Sequence, residues 1–256
     1  MGRFLLGLSV LVTLIACSAH KAAPNATVPF SRDNDGQPNV CPSKASTNDT
    51  QSASQDIYKI TTLITRLLTV APLQGDQPRS DSYKQAMQRA AKLLNNTNTS
   101  WQTLGSFLRD AAAPTGAEVA VEVSNAVNSL VLGTAEIELA FMIAIEAAAS
   151  ANSGSLSEVS AARSALESDI AAFDQAEAAD AGLNSWVLAV VALEALGGAM
   201  KQAVDVGQKV LTELAADGGD VSDIEASFQG FQAILEEAKA PAERTACATL
   251  IGTETK

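Results

Sequence analysis

A chain of 256 residues that is 47% hydrophobic but only 4% aromatic, with 29 acidic against 17 basic side chains and a net charge of −12, has apolar material for one sizeable core or two small ones. The surplus of carboxylates is uneven: residues 1–110 hold eleven Lys and Arg against seven Asp and Glu, and residues 111–256 hold six against twenty-two. So acidic a body repels phosphate backbones, which excludes nucleic acid as a partner, and its abundant Ala favours helix over strand.

The chain opens with one positive charge, Arg3, followed by an apolar run from Leu5 to Ile15. That run has the length of a signal peptide and is too short to span a bilayer as a helix. Its end, Leu14-Ile15-Ala16-Cys17, resembles the lipobox of bacterial lipoproteins, although such signals often carry more positive charge than Arg3 alone. The resemblance covers only these four residues. It implies a signal peptide over residues 1–17, acyl chains on Cys17 as the mature N-terminus, and, with Ser18 next, sorting to an outer membrane. An ordinary signal peptide cleaved near Ala19 is the alternative, giving a secreted protein.

Residues 18–54 are rich in Pro, Asn, Ser, Thr and Asp without helical period, and read as a disordered leader or tether. Asn25, Asn48, Asn95 and Asn98 each begin an Asn-x-Ser/Thr triplet, which would be glycosylation sites if the protein were eukaryotic. Apart from Cys17, the cysteines are Cys41 and Cys247. In an oxidising compartment such a pair reads most simply as one disulfide, which by loop entropy would stabilise the fold by about 3–5 kcal/mol. Two free thiols are the alternative.

Residues 55–256 read as a single helical domain. Ile57, Ile60, Leu63, Ile64, Leu67 and Leu68 recur at three- and four-residue spacing, predicting a helix from Asp56 to Ala71 that Pro72 ends. A second helix starts at Ser80 or Asp81 with Tyr83, Met87, Ala90, Ala91 and Leu94 on one face. Its Arg79, Lys84, Arg89 and Lys92 call for an acidic neighbour. Asn95–Ser100 reads as a loop, and Trp101 opens a short helix before Pro114. The longest helix follows, from Gly116 to Ser150, with Glu118, Glu122, Asn125, Ser129 and Glu136 as its solvent stripe.

After the turn 151–155, Ser155 and Glu158 suggest a capping box for a helix from Leu156 to Ala181. Leu183–Ala216 is apolar nearly all round in its first half and amphipathic from Lys201, and reads as the central helix. Asp217-Gly-Gly-Asp220 breaks it. Val221, Ile224, Phe228, Phe231, Leu235 and Ala238 then form the seam of a last helix that Pro241 ends. The pattern predicts an all-α fold, an antiparallel up-and-down helical bundle with additional short helices.

His20, in the leader, is the only histidine, which removes His-based triads, Glu-x-x-His di-iron sites and most zinc sites. No Gly-rich phosphate loop follows a strand. The expectation is a non-catalytic protein without metal or cofactor. Two features invite another role. Glu138 falls on the apolar face of the longest helix, where a buried acid needs a partner; exposure at a bundle edge is the commoner outcome for a carboxylate. In Leu183–Ala216, Val187, Val190 and Val191 lie on the side that its second half turns to water, so they, with Trp186, are either core or a surface for an apolar ligand or protein partner.

Three functions fit these features. The first is a cell-envelope lipoprotein, held at the membrane through its N-terminal lipid, whose bundle binds a partner protein or apolar ligand. The second is a secreted, glycosylated eukaryotic protein that binds lipid or hydrophobic surfaces, and the third is a membrane-active, pore-forming-like helical protein.

Overall fold

A computed structural model describes residues 47–70, 80–109, 116–151, 153–178 and 183–252, with side chains for 55–70, 80–106, 126, 129–150, 154–175 and 196–238. The described residues are all-α: six α-helices and a 3-10 turn, with no strand among them. The helices are α1 (Thr47–Val70), α2 (Asp81–Arg109), α3 (Gly116–Ala148), α4 (Ser153–Ala178), α5 (Leu183–Ala216) and α6 (Ser222–Gly252). The 3-10 turn, Ala149–Ala151, follows α3.

α1 begins at Thr47, inside the stretch that composition assigned to the leader. The hydroxyls of its Thr-rich outer face bond back to carbonyls a turn earlier instead of competing for backbone N–H groups: Thr61 and Thr62 donate to the Tyr58 carbonyl at 3.0 and 2.8 Å, and Thr65 to that of Thr61 at 3.0 Å. Ser80 caps α2, its hydroxyl accepting the Tyr83 N–H at 3.2 Å.

α2 corrects the expected loop at Asn95–Ser100 and the short helix after it, since it runs unbroken to Arg109. Leu94, Thr97, Trp101 and Leu104 are buried at helical spacing, so the apolar stripe continues through the polar run with Thr97 standing in for a hydrophobe. Thr99 and Thr103 bond back to the carbonyls of Asn95 and Thr99, which removes the backbone competition that favours a loop.

Pro241 does not end α6, which continues to Gly252. Proline in a helix interior loses one hydrogen bond and crowds the carbonyl a turn earlier, and the Ala- and Glu-rich residues around it are good helix formers that work against that cost. The turn expected after α5 is present as a Schellman motif. Gly218, with φ at +82°, takes the left-handed position, its N–H reaches the Ala215 carbonyl at 3.2 Å, and the Gly219 N–H reaches that of Leu214 at 2.9 Å. Gly218→Ala is expected to cost about 1 kcal/mol, read as a lower urea midpoint with unchanged slope. An unchanged midpoint would remove the motif from the account of how α5 stops.

The chain forms two compact units. Among the described residues, the first takes those up to Thr65, Leu94–Leu130 and those from Leu235, and the second takes Arg66–Leu93 and Val131–Ile234. In the first unit Ile57, Ile60, Leu63, Leu94, Trp101 and Leu104 are buried, and Ile57 lies against the backbone of Gly105.

The second unit is centred on α3. Every residue from Val131 to Ile143 is buried, so this run has neighbours on all sides. That role was expected of Leu183–Leu196 in α5. The bounds of α5 are those read from sequence, but the side chains of 183–195 lie outside the described residues. In its second half Ala203, Val210, Leu211 and Leu214 are buried while Lys201, Asp205 and Thr212 are exposed, the amphipathic character expected from Lys201 onward. Gly207 lets α5 approach closely: a Cβ there would stand 3.2 Å from Ile145 Cδ1 and 3.4 Å from both Met142 Sδ and Phe228 Cζ. Phe141 stacks on Phe228 edge-on at 5.3 Å between ring centres and on Phe231 at 5.5 Å, joining α3 to α6.

Candidate functional site

The polar groups that the second unit buries are concentrated on α3. Thr134 satisfies itself by donating to the Val131 carbonyl at 2.8 Å. Glu136 and Glu138 are each 1% exposed. Two residues apart on a helix, they leave the axis about 200° apart and meet different neighbours.

Glu136 corrects its expected place on the solvent stripe. The stripe is half-buried already at Ser129, and at Glu136 it meets α2 and α4. The Arg89 Nε lies 3.0 Å from Glu136 Oε1, an ionic contact without hydrogen-bond alignment, and the same guanidinium donates to Asp174. The acidic neighbour expected for α2 is therefore this pair of carboxylates. Burial pushes Glu136 up to about 7; Arg89 pulls against that, and Asp174 and Glu167 add to it. Directly after Ile145, Glu146 accepts from Ser160 and Arg163 of α4, and Arg163 also donates to Glu167 at 2.9 Å. Burial alone would raise the Glu146 carboxyl, but these hydrogen bonds and the charge of Arg163 leave it below its ordinary value.

Glu138 is buried, so exposure at a bundle edge is ruled out. Gln232 Nε2 of α6 donates to Oε2 at 3.0 Å, and Oε1 has no partner. Burial pushes this carboxyl up to about 8, with the Gln232 hydrogen bond opposing by less. Chemically the two acids differ: Glu136 is one member of a charged network, whereas Glu138 is a lone acid that the protein favours in its neutral form.

A surface groove of about 390 Å³ lies where α4 begins and α5 ends, lined by Ser155, Glu158, Lys209, Glu213 and Asp217 among others. Ser155 donates to Glu213 at 3.0 Å, and Lys209 binds both oxygens of Glu158 at 2.8 and 2.7 Å. Glu158 thus serves a cross-helix ion pair, and the capping box expected of Ser155 and Glu158 is replaced by these contacts because α4 already starts at Ser153. No histidine lies beside Ser155 among the described residues. No cluster able to hold a metal ion occurs among the described residues.

The other residues singled out by sequence fall as follows. Cys17, Asn25 and Cys41 lie outside the described residues, as do the side chains of Asn48, Trp186, Val187, Val190, Val191 and Cys247. Asn95 is exposed on α2, whereas Asn98 is half-buried there with a buried Oδ1 that has no partner, a poor setting for a glycan. Arg89 stands out in the sequence only as one of the four basic residues that the second helix is expected to carry, and Gln232 not at all. For Arg89 the signal was the basic face of α2; for Gln232 there was none. No protein-family model, curated protein or solved structure matches this chain.

Proposed function

We propose that the chain is an exported, lipid-anchored protein of the cell envelope whose helical domain binds a partner protein or an apolar ligand without catalysis. The observation that carries this reading is Leu14-Ile15-Ala16-Cys17 at the end of the apolar run Leu5–Ile15. Acyl chains on Cys17 would hold the protein at a membrane, each buried methylene contributing about 0.8 kcal/mol. A non-catalytic role is supported by the confinement of histidine to His20 and by a groove whose one lysine is bound by two carboxylates. Tyr58, 74% exposed, is the one large hydrophobic residue so open among the described residues; Trp186, Val187, Val190 and Val191, whose side chains lie outside them, are the candidate apolar surface on their sequence pattern alone.

Mass spectrometry of the mature protein decides the anchor: a diacylglyceryl group on Cys17 is expected, and an unmodified chain starting near Ala19 would replace this reading with plain secretion. Native mass spectrometry after mild extraction addresses the ligand, since a reproducibly empty domain would leave only a protein partner.

A further inference from the structure

The α3–α6 seam of the second unit is apolar where Phe141 meets Phe228 and Phe231, and polar at one adjoining point, Glu138 against Gln232. Glu138 precedes Phe141 by almost one turn, and Gln232 directly follows Phe231, so the pair and the phenyl rings share one contact. A carboxylate has about four acceptor positions and no donor, and here a single N–H reaches it.

Among the described side chains, no counter-charge faces Glu138 from any element packed around the seam; those of Lys239 and Arg244, further along α6, lie outside them. On α6, Asp223, Glu236 and Glu237 are exposed and Glu225 is half-buried. On α3, Glu136 faces Arg89 and Glu146 faces Arg163. On α5, Lys201 pairs with Asp205 and Lys209 with Glu158. On α1, whose Val70 approaches α6 at Gly230, Arg66 is exposed. An ionised Glu138 is therefore a buried charge with one neutral partner, while the neutral acid fits the same place at much smaller cost.

We propose that Glu138 is a proton-gated latch of the α3–α6 seam: while its carboxyl keeps the proton, α6 stays closed on α3 through Gln232 and the three phenyl rings, and transfer of that proton to solvent frees Phe228–Ile234 from α3. The step breaks only the O–H bond of the acid, with water or hydroxide taking the proton, and closing reverses it. Because burial pushes the carboxyl up to about 8, the latch responds just above neutrality, and it is independent of the membrane anchor. Opening would present Phe228 and Phe231, both fully buried in the closed seam, to solvent or to a binding partner.

Hydrogen–deuterium exchange of the full chain, compared at about pH 6.5 and about pH 9.5 after correction for intrinsic exchange, tests this. The expected result is a loss of protection of about tenfold or more over Phe228–Ile234 in the wild type, a flat response in E138Q, and the wild-type response in E136Q. Constant protection in the wild type, or an equal loss in E138Q, overturns the latch. A carbon-13 titration of the Glu138 carboxyl in the wild type gives a second reading that needs no variant: a midpoint near 8 agrees, and one near the ordinary 4.5 overturns it.

Discussion

Phe141→Ala is expected to lower the unfolding free energy by about 3–5 kcal/mol, enough to leave a marginal domain largely unfolded at 37 °C. Phe141 is 1% exposed on the most enclosed part of α3, and its ring contacts both Phe228 and Phe231. Truncation removes a phenyl transfer term and leaves a cavity walled by helices on several sides, which cannot collapse into it without moving α3. It also forfeits two aromatic contacts, each contributing about 0.5–1.5 kcal/mol beyond area. Phe141→Leu should recover more than half of the loss by refilling volume without the ring geometry. Urea titrations of the three proteins at one pH make the comparison. A Phe141→Ala loss below about 1 kcal/mol would mean that the ring is not part of a close-packed core.

Arg89→Ala is expected to be mild in acid and severe in base. Glu136 has a folded-state value of about 7, above its unfolded 4.5, because burial outweighs the attraction of Arg89. The sign follows: a carboxyl raised on folding contributes stability that is fully present below about pH 4.5 and is lost as pH rises to 7. Without Arg89 the folded value rises further, so the loss continues beyond pH 7. At about pH 5.5, where Glu136 is protonated in both proteins, the variant should lose under about 1 kcal/mol, the share of a half-exposed Arg–Asp contact. At about pH 8.5 the loss should reach about 2–4 kcal/mol, because Glu136 must then either hold its proton or stand charged and unpaired. Urea midpoints at the two pH values, at one ionic strength, measure it, and the double variant R89A/E136Q should flatten the difference. Equal losses at both pH values would show that Arg89 acts through packing alone.

These expectations rest on groups that the sequence displayed unequally. The helices, the Ser80 start of α2, both ends of α5 and the Asp217–Asp220 stop were legible because periodicity and capping are local. Asn95–Ser100 was not: six polar residues look like a loop, and only the burial of Thr97 between Leu94 and Trp101 reveals that the stripe runs on. Pro241 misled because proline in a helix interior costs about 3 kcal/mol without always ending the helix, and strong helix formers on both flanks work against that loss.

Glu138 was visible as a conflict between side chain and face, but the two ways of resolving it depend on what another helix supplies. Its partner lies 94 residues away on α6. Glu136 shows the converse. A helical wheel put it in line with residues that face water, yet the neighbours of a long helix change along its length, and by Glu136 that side is closed by α2 and α4.

The lone Arg163, tied to Glu146 and Glu167, has a practical consequence for anyone who digests this protein. It is the only Lys or Arg between Arg109 and Lys201, so trypsin has one cleavage point across the whole of α3, α4 and the first half of α5. That point is within a helix and its guanidinium is engaged by two carboxylates, so the native chain should be cut elsewhere first. Complete digestion after unfolding yields the peptides 110–163 and 164–201, long and poor in cations, which ionise and fragment badly in routine peptide sequencing. A protease that cuts after acidic residues, which this region has in plenty, would read through the same stretch in short pieces.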